Sequence, residues 1–274
     1  MATAAESLRQ HWPEYLMEAW ALGMFMISAG LFATLLESPG SPVHQAIPDP
    51  AIRLALMGLA MGLTAVAIIY SPWGQTSGAH MNPAVTLTFL RLGKVAPWDA
   101  LFYIIAQFVG GALGIALTAL LLGELFTGPQ VAFVVTMPGQ AGLGVAFVTE
   151  FFMSLLLMLT ILWVSNTPKT ERLTGLAAGL LVATFITLAA PISGMSINPA
   201  RTFASAVNSA QWASIWIYFT APIMGMLAAV DIYRKLRPDH KVICAKLDHP
   251  DHRRCIHCGY DPHQPSAIHS GNSS

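Results

Sequence analysis

The chain has 274 residues, 54% of them hydrophobic and only 10% charged, against roughly 25% charged in an average soluble domain. That composition excludes an ordinary soluble domain. The formal net charge is zero, which gives no hint of an oppositely charged partner, and no nucleic-acid partner is expected.

The hydrophobic residues gather into runs of about 20, the length a helix needs to cross a hydrocarbon core of about 30 Å. In chain order the predicted spans are residues 15–36, 52–70, 98–122, 143–164, 172–190 and 212–233. The first carries Glu18 and is longer than the apolar region of a signal peptide. It is read as a retained helix behind a short N-terminal segment, residues 1–14. The membrane region is then 15–233, in halves of about 15–125 and 143–233, followed by a polar tail, 234–274, expected to be largely disordered.

Basic residues mark the sides of the membrane. Residues 37–50 and 123–142 contain no Lys or Arg, whereas Arg91, Lys94, Lys169, Arg172 and the basic residues from Arg234 onward fall on the alternate side. Because cytoplasmic segments near helix ends hold an excess of Lys and Arg, both termini are expected to be cytoplasmic in a multi-pass protein of the cell membrane.

One stretch repeats. Ser77-Gly78-Ala79-His80-Met81-Asn82-Pro83-Ala84-Val85-Thr86 aligns without a gap with Ser193-Gly194-Met195-Ser196-Ile197-Asn198-Pro199-Ala200-Arg201-Thr202. Each copy follows the second span of a three-span half. Those spans carry Gly58 with Gly62 and Gly175 with Gly179, small-residue faces for close packing. The first span of each half holds one carboxylate, Glu18 or Glu150. Three spans is an odd number, so the second half enters from the opposite side and the repeat has inverted topology.

Each Asn-Pro pair reads as a helix start, with Asn as N-cap and Pro at the first helical position. The helix from Pro83 to about Arg91 would be about 13 Å long, half a bilayer. The preceding residues, 71–81 and 191–197, are rich in Gly, Pro and Ser and are expected to be extended. Such backbone survives at membrane depth only when buried in protein or lining a watery cavity. Two helix amino ends, each equivalent to about half a positive charge, would then face one midplane point and repel cations and protons. Asn82 and Asn198 would donate to a passing water, and Glu18 and Glu150 would accept from the loop backbone as structural supports. His80 braces its loop or lines the vestibule.

On these motifs, together with Ala106-Gln107, the region 15–233 resembles the major intrinsic protein family of aquaporins and glycerol facilitators. The resemblance implies an all-α membrane fold of six spanning helices and two re-entrant half-helices. It also implies a homotetramer with one pore per subunit and Asn82-Pro83-Ala84 and Asn198-Pro199-Ala200 at the pore centre. By the same resemblance, Met61, Ile186, Met195 and Arg201 occupy the narrow constriction. Water-selective members typically have an aromatic ring at the Met61 position and His at the Ile186 position. Glycerol facilitators place aromatic rings at the positions of Met61 and Met195, so this chain matches neither set. Thr202 stands where those facilitators usually carry Asp, and Tyr218-Phe219 resembles the aromatic pair of the water branch.

The expected function is a passive channel for water, extending to other small neutral solutes, that excludes protons and ions. The alternative is a facilitator for glycerol, urea, ammonia or hydrogen peroxide. An ion-coupled transporter would need coupling-ion ligands beyond the two Glu residues. No nucleophile and base pair and no nucleotide loop is recognisable, so no enzyme and no cofactor in the membrane region is expected. The tail holds all three cysteines, Cys244, Cys255 and Cys258. Cys255-Ile256-His257-Cys258-Gly259 suits half of a zinc site, with Cys244, His249 or His252 as candidate completing ligands. Only half of the usual paired pattern is present, and a flexible tail with incidental thiols is the competing reading.

Overall fold

The computed structural model describes residues 2–250 and 252–262. Within them lie eleven α-helices: α1 (Ala4–Glu37), α2 (Pro42–Ala46), α3 (Pro50–Tyr70), α4 (Pro72–Ser77), α5 (Pro83–Arg91), α6 (Pro97–Leu122), α7 (Glu124–Thr127), α8 (Leu143–Ser165), α9 (Thr174–Ser193), α10 (Pro199–Ser209) and α11 (Ile215–Leu236). Six are long and apolar enough to cross a membrane: α1, α3, α6, α8, α9 with the turn before it, and α11. Their outer faces carry Leu120, Leu121, Leu180 and Leu188, each about two-thirds or more exposed. An apolar belt of this kind suits hydrocarbon rather than water.

The long helices pack in pairs: α1 on α6, α8 on α11 and α3 on α9. Small residues allow backbone to meet backbone at these seams. A Cβ on Gly62 would lie 2.6 Å from the Gly179 carbonyl, and one on Gly58 would lie 2.5 Å from that of Ala183. The same holds for Gly110 against Ala19 in the α1–α6 pair and for Gly225 against Phe151 in the α8–α11 pair.

The two short helices α5 and α10 complete the bundle. Each opens on Asn then Pro, and each Asn side chain caps its own helix: Asn82 Oδ1 accepts from Ala84 N at 2.9 Å, and Asn198 Oδ1 from Ala200 N at 3.0 Å. The C-terminus of α5 leads to the start of α6, on the face where His11 meets Asp99, whereas α10 leads to the start of α11 on the opposite face. The half-helices therefore enter from opposite sides, and their amino ends meet in the middle. We call the face bearing the start of α1 and the end of α11 the terminal face.

Some boundaries differ from those read in the sequence. Helix α1 begins at Ala4, so the 1–14 segment is mostly helical. Thr3 and Glu6 form a reciprocal capping box that starts the helix before its apolar part. Residues 72–77, expected to be extended, form α4, because Ser71 caps Gly74 N and Pro72 fits the first turn. Helix α9 likewise continues through Pro191 to Ser193, and the extended stretches shrink to 78–81 and 194–197. Of the tail expected to be largely disordered, residues 242–247 are largely buried against the channel body. The segment as far as 262, apart from Asp251, follows a defined path. Residues 263–274 lie outside the described part.

Candidate functional site

The two extended stretches are held by matching sets of bonds. Glu18, fully buried, accepts from Ser77 Oγ (2.8 Å), His80 N (3.0 Å), Met81 N (2.8 Å) and Gln107 Nε2 (2.8 Å). Glu150, also fully buried, accepts from Ser193 Oγ (2.8 Å), Ser196 N (2.8 Å) and Ile197 N (2.6 Å). A carboxylate removed from water costs several kcal/mol unless its lone pairs are taken up, as they are here. The bonds also hold strained backbone. Met81, Met195 and Ile197 sit at φ of 46–50°, a region that side chains with a Cβ rarely enter.

A second matching pair was not singled out from sequence. Tyr103 Oη donates to the Ser77 carbonyl and Tyr218 Oη to the Ser193 carbonyl, each at 2.7 Å. Both rings are fully buried. Tyr218, read from sequence as a mark of the water branch, is thus a clamp on the loop's first residue. The signal was present: Tyr103 follows Asn82 by 21 residues and Tyr218 follows Asn198 by 20.

At the centre the two loops exchange bonds. Asn82 Nδ2 donates to the Ile197 carbonyl and Asn198 Nδ2 to the Met81 carbonyl, both at 2.7 Å. Since each amide oxygen caps its own helix, each NH2 keeps one further hydrogen. Both Asn residues line a cavity of about 200 Å³. The wall beside them is mostly apolar, including Leu22, Val85, Leu157 and Val182. At its centre the site offers two fixed donors and two helix amino ends. It can hold and orient a small neutral molecule and has no acid–base pair to transform it.

Met61, Ile186, Met195 and Arg201 line the same cavity. Arg201 Nη1 donates to the Val134 carbonyl at 2.9 Å and to Thr136 Oγ1. These partners belong to the connection between α7 and α8, whose irregular backbone gave no periodic signal in the sequence. Thr202 bonds Ser196 Oγ at 2.5 Å and also reaches Thr136.

His80 spends both ring nitrogens. Nδ1 lies 3.0 Å from Thr86 Oγ1, and Nε2 donates to the Ala245 carbonyl of the tail at 2.8 Å. It also lines the cavity, as does Leu247 of the tail. His257 stacks on His80, with ring centroids 5.7 Å apart, and donates to the Ser77 carbonyl at 3.0 Å. Burial holds its imidazole down, to about 3, so it is neutral. The structure brings Cys244, Cys255 and Cys258 together with His249, their ligand atoms all within 4.8 Å of one another, and leaves His252 outside the group.

The sequence matches the major intrinsic protein family over residues 5–233. It is 34% identical over 217 residues to Aquaporin NIP1-2 of Arabidopsis thaliana, covering 78% of this chain and 70% of that one. A probable NIP-type aquaporin of Nicotiana alata is 36% identical over 225 residues, covering 81% and 78%. Aquaporin-4 of Mus musculus is 34% identical over 219 residues, covering 76% and 65%. In fold it resembles the aquaglyceroporin of Plasmodium falciparum, with a TM-score of 0.68 at 20% identity, covering 83% of this chain and 97% of that one. The chain belongs to the major intrinsic protein family, the aquaporin channels for water and small solutes.

Proposed function

We propose that this protein is a passive water channel of the cell membrane, with both termini cytoplasmic, acting as a homotetramer with one pore in each subunit. The observation that carries the water reading is the reciprocal pair of Asn amides at the meeting point of two helix amino ends. A water in the cavity accepts from both amides, so its oxygen lone pairs are occupied and its hydrogens point away along the file. That orientation breaks a proton wire, while the helix ends repel cations. Orientation in the membrane follows the basic residues. Arg91, Lys94, Lys169 and Arg172 lie toward the terminal face, and Arg53 on the opposite face is ion-paired with Glu37 at 3.2 Å.

A second reading concerns the solute. The residues beside Arg201 are two thioethers and an Ile, which leave a constriction with an apolar side and a donor side. Glycerol or urea would lay carbon against Met61 and Met195 and oxygen against the guanidinium. Ammonia and hydrogen peroxide need only the donors. Stopped-flow light scattering on proteoliposomes tests both readings in one preparation. The water channel predicts osmotic shrinkage well above bare lipid in inward and outward gradients and no proton current. Permeability equal to bare lipid would refute it, and glycerol entry as fast as water would replace it with the second reading.

A further inference from the structure

The tail cluster is a compact donor set. Cys244 Sγ and Cys255 Sγ are 3.3 Å apart, and His249 Nε2 and Cys258 Sγ 3.2 Å. Two thiolates on a tetrahedral zinc lie roughly 3.7 Å apart, given Zn–S bonds of about 2.3 Å. The four atoms, all within 4.8 Å of one another, already bracket that geometry. Three thiolates and one imidazole are a soft, four-coordinate set that suits Zn2+. The backbone around them is formed for the purpose: Cys255 N donates to the Tyr260 carbonyl at 2.8 Å and Gly259 N to the Cys255 carbonyl at 3.0 Å. Gly259, at φ +74°, turns the chain after the second knuckle cysteine.

Lys246 is 3% exposed and donates from Nζ to the Arg254 carbonyl at 2.9 Å, which ties the stretch after Cys244 to the residue just before Cys255.

The cluster does not hang free of the channel. Between its first two ligands run Ala245, Lys246 and Leu247, all buried. Leu247 N donates to the Gly78 carbonyl at 3.2 Å, the Ala245 carbonyl accepts from His80, and Leu247 forms part of the cavity wall. A Cβ on Gly78, at φ +106°, would stand 3.3 Å from Lys246 Cγ, so the tail lies directly on the loop backbone. Arg254 to Glu14 at 2.8 Å and Gln75 to Asp248 at 2.8 Å fasten its rim.

We propose that Cys244, His249, Cys255 and Cys258 bind one Zn2+ ion, and that the ion seats residues 245–247 in the terminal mouth of the cavity so that metal binding restricts conduction. Without the metal, the segment, which has no helix or strand among its described residues, loses the tie between its two ends, and the mouth opens. The gate rests on the channel reading; the metal site does not.

The test uses the full-length protein, purified in detergent and reconstituted. The metal-loaded chain should carry about one zinc, as a four-ligand structural site requires. Cobalt put in its place should show thiolate charge-transfer absorption. Stripping the zinc with a strong chelator should raise osmotic water permeability by at least about fivefold, because structural zinc sites fold segments of this size outright. The double variant Cys255→Ser with Cys258→Ser should behave as the stripped protein whatever the metal. A chain ending after Arg237 should do the same, which guards against misfolding in the double variant. Zinc well below one per chain, or isolation with a Cys244–Cys255 disulfide in place of metal, overturns the site. Equal permeability of loaded, stripped and truncated protein, all above bare lipid, overturns the gate. Bare-lipid permeability in all three overturns the channel reading itself, and the zinc content still decides the site.

Discussion

Tyr103 and Tyr218 occupy matching positions, yet they should not cost the same when truncated. Tyr218→Phe removes the donor 2.7 Å from the Ser193 carbonyl, in a residue that is fully buried. A buried acceptor left without its partner costs about 1–3 kcal/mol. At about 2–4 °C per kcal/mol for a chain of this size, a cost near 2 kcal/mol lowers the Tm by about 4–8 °C. In Tyr103→Phe the Ser77 carbonyl keeps a second donor, His257 Nε2 at 3.0 Å. The loss should then stay below about 1 kcal/mol, or about 2–4 °C. The assay is thermal unfolding in detergent, followed by intrinsic fluorescence, at one fixed scan rate for all variants. Repeating it on the chain ending after Arg237 removes His257, and there Tyr103→Phe should fall by as much as Tyr218→Phe. Equal losses in the full-length chain, or none for Tyr218→Phe, would refute the account of these clamps.

Three further outcomes follow from the packing and the cavity. Gly62→Ala puts a methyl 2.6 Å from the Gly179 carbonyl and must push α3 from α9. It should cost about 1–3 kcal/mol by thermal unfolding, whereas Gly144→Ala, with nothing within 4 Å, should be neutral or stabilising by up to about 1 kcal/mol. Glu150→Gln puts an amide NH2 among donors where a carboxylate oxygen had accepted; it should destabilise by about 3 kcal/mol or more and abolish water flux, checked by yield of folded protein and stopped flow. Met61→Phe with Ile186→His should raise the ratio of water to glycerol permeability; an unchanged ratio would mean that these side chains do not form the constriction.

Much of this molecule can be read in its sequence because the membrane makes the pattern strict. Backbone must be paired internally at that depth, so spans appear as uninterrupted apolar runs, and five of the six predicted spans begin within about three residues of their helices. The exception is α1, whose first two turns are polar and are set by the Thr3 cap rather than by hydropathy. The repeat alone puts both Asn residues and both Glu residues into matching places. What sequence did not supply were partners that no period announces. The grip of Val134 and Thr136 on Arg201 comes from an irregular connection. The choice of His249 over His252 depends on how a coil folds back. Composition likewise described the tail as polar and failed to show that Ala245 and Leu247 would be buried in it.

The two halves share most of their bonds near the centre, Gln107 to Glu18 being an exception, and diverge further toward the mouths, and the divergence says where regulation can act. Ser196 in the second half bonds Thr202 and the Asn198 backbone and so stays within its own loop. His80, its counterpart, has a second ring nitrogen pointing on toward the terminal face, and there it finds the Ala245 carbonyl. At the opposite mouth the added segment, around residues 134–136, grips Arg201 and keeps its charge fixed at the cavity wall. At the terminal mouth the added segment contributes Leu247 to the wall of the cavity and carries the cluster of three cysteines and one histidine. A fixed charge has to be permanent for a filter to work, and a covalently continuous loop anchored by helices at both ends provides that. A stopper is useful only if it can leave, and a short segment with no helix or strand among its described residues, joined at one end and tied at the other by ligands that release with the ion, is built to leave.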